Sequence, residues 1–250
     1  MINITLLLIL LQTVSTAAFE GFPDRAQDFI HGGIGQWNTG CITVARIERW
    51  DMPELTINFL RMSVPYGMMF YEVELLSSGD ELYREDKLSG VCRFSLGDFQ
   101  CSIIGDVYTV YIKGYGTTST PGAGCMIERW ITPALMISGG GCGLLTGEIR
   151  DGCRDINRHY RGCVYYLPDD GFILMISVEK PDYHRAGFNL GAEHSFGRLS
   201  VFGLRFLLSD YPPRTGGGLF FNFSRLTVNL AATMTQPLGW SPYGGISFTW

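Results

Sequence analysis

Apolar residues recur at every second position through most of this chain, and the pattern continues to its last residue. The final stretch, YGGISFTW, puts Ile246, Phe248 and Trp250 on one side of an extended strand and Ser247 and Thr249 on the other. The same period runs through ELTINF, where Leu55, Ile57 and Phe59 alternate with Glu54, Thr56 and Asn58. In MMFYEVEL, Met69, Tyr71, Val73 and Leu75 oppose Glu72 and Glu74. YTVYIK sets Tyr108, Val110 and Ile112 against Thr109 and Lys113, and FILMISVEK sets Phe172, Leu174, Ile176 and Val178 against Ser177 and Glu179. AGFNLGAE and LTVNLAATMT repeat it, with Asn189, Glu193, Thr227 and Asn229 on the polar side. Helical periodicity is nearly absent. So many half-apolar strands must close on themselves or stack as two sheets, because an open edge exposes unpaired backbone groups.

The spacing of chain breakers favours closure. Read back from Trp250, tight or short breaks (Ser224-Arg225, 196–198, 168–170, 132–134, Gly97-Asp98, 65–67) alternate with medium or long ones (236–240, 208–214, 181–184, 150–159, 115–121, 78–86). Only the break at 51–53, due to be long, is short. Alternation of tight turns and longer loops is the pattern of a transmembrane β-barrel, and strands of about 9–11 residues suffice to span. The fold class read from the sequence is all-β: a closed antiparallel transmembrane barrel of about fourteen strands, with twelve as the other count, and short periplasmic turns. One face of each strand meets lipid and the other a lumen. Within lipid only a helix or a closed barrel satisfies every backbone N–H and C=O. Trp50, Trp130, Tyr165, Tyr243 and Trp250, near strand ends, read equally as interfacial girdles or as packed core.

Composition sets the remaining bounds. Only 17% of residues are charged and 32 are glycine. A net charge of −5 argues against a nucleic-acid surface. Residues 1–18 open with an uncharged apolar run and end in small residues, which predicts a signal peptide. Residues 19–40 then form a periplasmic segment or plug, and 41–250 the barrel. Seven cysteines, an odd number without a C-x-x-C spacing, point to mostly free thiols and away from a zinc site, with a Cys142–Cys153 bridge as the alternative. The turn at Gly97-Asp98 sets Cys101 opposite Phe94 rather than Cys92.

The expected lumen-lining residues are Glu72, Glu74, Lys113, Glu179, Asn189, Glu193, Asn222 and Asn229. No catalytic residue, metal ligand or cofactor is assigned. Glu193-His194-Ser195 contains hydrolase residue types, but neighbours on a strand point to opposite faces and do not converge. A repeat in letters, IERWDMPELTI (47–57) and IERWITPALMI (127–137), marks either two similar domains or two similar hairpins.

The run FNLGAEHSFGRLSVFGLRF resembles the late strand pair of outer-membrane barrels of the long-chain fatty-acid transporter family, especially its PorV-like members of type IX secretion. GGGLFFNFSRLTVNLAATMT resembles the next hairpin and YGGISFTW the closing strand; ELYRE (81–85) and IKGYG (112–116) are similar to further segments. The resemblance implies an outer-membrane protein of a Gram-negative-type bacterium, in contact with outer-membrane lipid. It also implies a barrel assembly machinery that recognises Ile246, Phe248 and Trp250 as a terminal signal. The function expected is non-enzymatic: transport or binding, or a secretion-associated scaffold, for a hydrophobic small molecule or a secreted protein. The rival readings are a secreted, disulfide-stabilised β-sandwich interaction module and an outer-membrane lipid hydrolase.

Overall fold

The computed structural model describes residues 40–49, 52–146, 159–169, 172–181, 185–196, 202–210, 213–235 and 238–250. The proposed signal peptide and nearly all of the 19–40 segment lie outside the described residues. Fourteen strands follow in chain order: β1 (Cys41–Arg49), β2 (Met52–Tyr66), β3 (Met69–Gly79), β4 (Tyr83–Leu96), β5 (Phe99–Ile112), β6 (Gly116–Thr132) and β7 (Leu135–Thr146). The second half comprises β8 (His159–Asp169), β9 (Phe172–Pro181), β10 (Gly187–Phe196), β11 (Phe202–Asp210), β12 (Pro213–Phe223), β13 (Leu226–Thr235) and β14 (Gly239–Thr249).

Each strand pairs antiparallel with its sequence neighbours, and β14 returns to β1, so the sheet closes as a barrel. At the seam Cys41 faces Thr249, Val44 faces Ile246 and Ile47 faces Tyr243. The Trp250 N–H donates to the Gly40 carbonyl at 3.1 Å, continuing the ladder past the last strand residue. Closure leaves no edge strand. It also rules out the stacked two-sheet sandwich for the described residues.

The tight breaks fall at one end of the barrel. Gly67 and Gly97 take φ of 62° and 60° at the first position of two-residue links, the conformation such hairpins need and side chains resist. Ser224 adopts φ 55° in the same role at the β12–β13 link. The other end departs from expectation. The stretches 78–86 and 115–121, read as long loops, are largely strand, because β3 runs to Gly79, β4 begins at Tyr83 and β6 at Gly116. The break at 208–214 shrinks to 211–212 between β11 and β12. Their polar residues decorate a sheet that continues past its apolar part. Arg84 pairs with Asp86 at 2.9 Å, and the Thr109 and Ser119 hydroxyls bond at 2.9 Å. β6, at 17 residues, is longer than a spanning strand requires.

The β3–β4 link is held by its own backbone. Asp80 accepts from the N–H groups of Leu82 (2.7 Å) and Tyr83 (3.0 Å), while its N–H donates to the Tyr83 carbonyl. Those donors, Tyr83 foremost, hold the Asp80 carboxyl below its ordinary range. The cap is therefore intact above the usual carboxylate pKa and weakens only as pH falls through the depressed value. Gly79, at φ 109°, would press a Cβ into the Tyr83 carbonyl, whereas Gly67 has open space around it. Gly79→Ala should therefore open this link to limited proteolysis, while Gly67→Ala strains only its own turn. Equal resistance of both variants to cleavage between 79 and 83 would contradict this account.

The outer surface is banded. Exposed aliphatic residues such as Val44, Val73, Ile103, Ile176, Leu190 and Leu230 occupy the middle. Exposed aromatics flank them: Tyr66, Phe99, Tyr166 and Phe223 near the tight turns, and Tyr111, Tyr160 and Trp240 towards the other end. Trp240 on β14 and Trp250, one residue past its end, are 52% and 46% exposed and frame the strand. The intervening strand, at about 3.3 Å per residue and tilted about 40°, spans about 25 Å, the height of the apolar band of a membrane barrel. Of the candidate girdle residues, Tyr165 and Tyr243 instead point inward, at 5% and 4% exposure; Trp50 lies outside the described residues.

Two of the alternating segments are inverted relative to a simple apolar-out rule. In ELTINF, Ile57 and Phe59 face the interior, and the outward residues of β2 are Asn58, Leu60 and Met62. In YTVYIK, Tyr108 packs against the interior cluster while Val107 faces out. The IERW repeat is also not a structural repeat. Its first copy spans the β1–β2 connection and its second the β6–β7 turn, at opposite ends of the barrel. Ile47 is fully buried inside, whereas Ile127 is 50% exposed outside. A shift of one residue in strand phase reverses every side chain.

Candidate functional site

The interior face is where charge collects. Four side chains from three consecutive strands form one array. Arg61 on β2 reaches both Glu72 (3.1 Å) and Glu74 (3.0 Å) on β3 through Nη2, and Arg93 on β4 reaches the second oxygen of Glu72 at 3.0 Å. Each Glu72 oxygen thus accepts from a different guanidinium. The Arg93 guanidinium also lies 5.2 Å from the centroid of the Phe70 ring, a cation–π contact. All four charged groups are buried. Two cations and two anions cancel, which is the condition for holding charge away from water.

The charge continues around the wall. Lys87 on β4 faces Asp106 on β5 at 3.5 Å, and Arg161 on β8 faces Glu179 on β9 at 3.6 Å. Asn189 on β10 donates from Nδ2 to the Ser177 hydroxyl at 3.1 Å. Across the seam the described interior groups are uncharged. Thr43 and Ser247 share a hydroxyl hydrogen bond of 2.9 Å; Thr227 on β13, directly across from Ser247, and Ser241 further along β14 are buried as well. Beside this polar wall sits an apolar patch, formed by Ala45, Ile47, Ile57, Phe59, Leu76 and Tyr243, with Tyr108 and Ala231 packed against it. The interior therefore carries an ion-paired zone and an apolar zone.

The structure distributes the expected lumen set unevenly. Glu72 and Glu74 are buried in the array, Glu179 is half-buried beside Arg161, and Asn189 is buried against Ser177. Lys113 differs from expectation. It lies in the β5–β6 turn, exposed, with its N–H donating to the Leu82 carbonyl at 2.9 Å. The strand ends one residue earlier, so the alternation that placed Lys113 inside no longer applies. For Glu193, Asn222 and Asn229 the backbone is described on β10, β12 and β13, and their side chains are not.

Sequence reading missed the cations. Arg61, Arg93 and Arg161 are the partners of the glutamates, and one signal was available. Counting outward from the Gly67 turn pairs Tyr66 with Met69, and the same count sets Arg61 directly across from Glu74. Arg93 follows from the next hairpin only once the longer β4 is known.

His194 faces outward and is exposed, with its ring 4.7 Å from that of Phe196 in an edge-on contact and 6.1 Å from that of Phe172. None of the six described cysteines forms a disulfide; Cys153 lies outside the described residues. Cys41, Cys142 and Cys163 are buried on the interior face, and Cys101 stands opposite Phe94 as the turn geometry requires. Of the terminal residues, Ile246, Phe248 and Trp250 are exposed on the outer face and Ser247 is buried inside.

No protein-family model and no curated protein matches this sequence. The resemblance of its C-terminal third to the fatty-acid transporter and PorV-like barrels therefore stands on the quoted segments alone. Among solved structures the chain is similar to a KdgM porin, with 6% identity and a TM-score of 0.49, covering 83% of this chain and 98% of that one. A KdgM porin in complex with disordered oligogalacturonate gives the same figures. A triple mutant of Rhodopseudomonas blastica porin is similar at 10% identity and a TM-score of 0.43, covering 85% of this chain and 98% of that one.

Proposed function

We propose that this chain is a non-enzymatic outer-membrane β-barrel of a Gram-negative-type bacterium, whose interior binds or passes a small amphipathic solute. The membrane assignment is supported by the closed barrel, by its aliphatic belt between aromatic flanks, and by charge collected on the inner face. The solute class rests on one observation: the ion-paired array and the apolar patch share the interior. A hydrophobic cargo is also what the resemblance of the C-terminal third implies.

The test is entry of a permanently charged dansyl alkyl sulfonate, which does not cross lipid unaided, into proteoliposomes. The wild-type barrel should speed entry. Phe59→Ser should slow it severalfold, whereas Leu60→Ala on the outer face should leave it unchanged, with folding checked by the heat-modifiable shift on an unboiled gel. A correctly inserted barrel through which the probe enters no faster than into empty liposomes would refute the solute assignment.

A further inference from the structure

The inner face collects sulfur as well as charge. Met136 on β7, Cys163 on β8 and Met175 on β9 are 1%, 4% and 2% exposed. The register makes them neighbours. Met136 and Met175 stand directly across from Tyr165 on its two sides, and Ser138 and Ser177 stand across from Cys163 in the same way. Cys163 therefore has a methionine diagonally beside it on each adjoining strand. Diagonal neighbours in a sheet lie about 7–8 Å apart, within reach of long side chains.

One guanidinium shows that two of these sulfurs converge. Arg161 places Nη2 3.8 Å from the Met175 Sδ. Arg161 lies four residues before Tyr165, the partner of Met175, so this contact spans the Cys163 position. The Cys163 thiol is itself hydrogen-bonded to the side chains of Arg161 and Tyr165. A thiol and a thioether thus share one small cationic group, with a second thioether placed symmetrically on β7.

The donor types select the ligand. A thiolate with two thioethers is a soft donor set, of the kind that takes copper(I). Zinc is held by thiolate, imidazole or carboxylate, and no group of three or more His, Cys, Asp or Glu that could hold a metal occurs among the described residues. Charge separates a monovalent from a divalent ion. Arg161 already faces Glu179 at 3.6 Å, and the two cancel. One thiolate cancels one positive charge, and thioethers cancel none. A monovalent ion leaves the buried site neutral, whereas a divalent ion leaves it charged away from water.

We propose that Met136, Cys163 and Met175 form a three-sulfur site for copper(I) on the inner wall of the barrel. The thiol releases its proton to water as the copper–sulfur bond forms. Arg161 then turns to Glu179, and the Tyr165 hydroxyl donates to the bound sulfur, as outer partners of metal ligands do. The site concerns binding to the folded barrel and is independent of the solute proposed above.

The test titrates the full chain, folded in detergent micelles and kept free of oxygen, with copper(I) against bathocuproine disulfonate as competing chelator. The wild type should hold one copper per chain against the chelator, more tightly as pH rises. Leucine replaces methionine at nearly equal volume, so Met136→Leu and Met175→Leu should fold normally and each weaken binding severalfold. Cys163→Ser should abolish it. Met126→Leu should leave it unchanged, because Met126 packs with Cys142 in a separate cluster. X-ray absorption at the copper edge should show sulfur as the only ligand atom. A wild type that yields all its copper to the chelator overturns the site. Unchanged affinity in either methionine variant also overturns it, since thiols alone would then hold the metal, and so does binding that survives Cys163→Ser. Folding of each variant is read from the heat-modifiable shift, and the methionine variants decide if Cys163→Ser does not fold.

Discussion

Glu72→Ala should lower the unfolding free energy of the barrel by about 3–5 kcal/mol, the cost typical of removing one partner from a buried ion pair. Glu72 is central because it alone touches both arginines. Its two oxygens lie 3.1 Å from Arg61 and 3.0 Å from Arg93. Without it both buried guanidiniums lose a carboxylate contact, while Glu74 stays 3.0 Å from Arg61. Glu74→Ala should cost less, since Arg61 keeps Glu72. Glu72→Gln keeps the shape and the acceptor oxygen but not the charge, and should fall between. Urea titration of barrels refolded in lipid, followed by the heat-modifiable shift, orders the three. If Glu72→Ala and Glu74→Ala cost the same, the array is not organised around Glu72. A smaller loss than about 1 kcal/mol for Glu72→Ala would mean that water reaches these groups freely enough to screen them.

The same array shows what the alternation does and does not encode. A period of two assigns residues to two faces without saying which face is inside. Where the polar side carries charge, as in MMFYEVEL, the assignment is unambiguous, because carboxylates avoid lipid. Glu72 and Glu74 were legible for that reason. Where the contrast is weak, as in ELTINF, the apolar side reads as lipid-facing, and the structure puts Ile57 and Phe59 inside. The barrel interior has an apolar patch, and no local pattern distinguishes such a patch from a lipid contact. Strand length was hidden for a related reason. Tyr83-Arg84-Glu85-Asp86 and the threonines of 117–120 look like loop, yet strands that project beyond the membrane meet water on their outer face and need no apolar side there. The strand number and the tight turns were legible because Gly67 and Gly97 mark φ values that other residues avoid.

The seam joins these observations to assembly. Removing residues 243–250 should abolish the folded barrel altogether. It would strip β1 of its whole register with β14, from Cys41↔Thr249 to Ile47↔Tyr243, and leave β1 and β13 as open edges. Each unsatisfied backbone group in hydrocarbon costs several kcal/mol, so no partial barrel is stable there. Deleting Trp250 alone is a far smaller structural loss: one backbone hydrogen bond to Gly40 and a ring stacked on Phe248 at 6.4 Å between centroids. Such a loss should leave refolding into lipid vesicles largely intact. If an assembly machinery reads the terminal residues, the Trp250 deletion should nevertheless sharply reduce the heat-modifiable band in cells. Ser247→Ala, which removes the inward Thr43 bond and leaves the outer face unchanged, should not have this effect. Equal losses in cells and in vesicles for the Trp250 deletion would assign the residue to the stability of the seam and remove it from recognition.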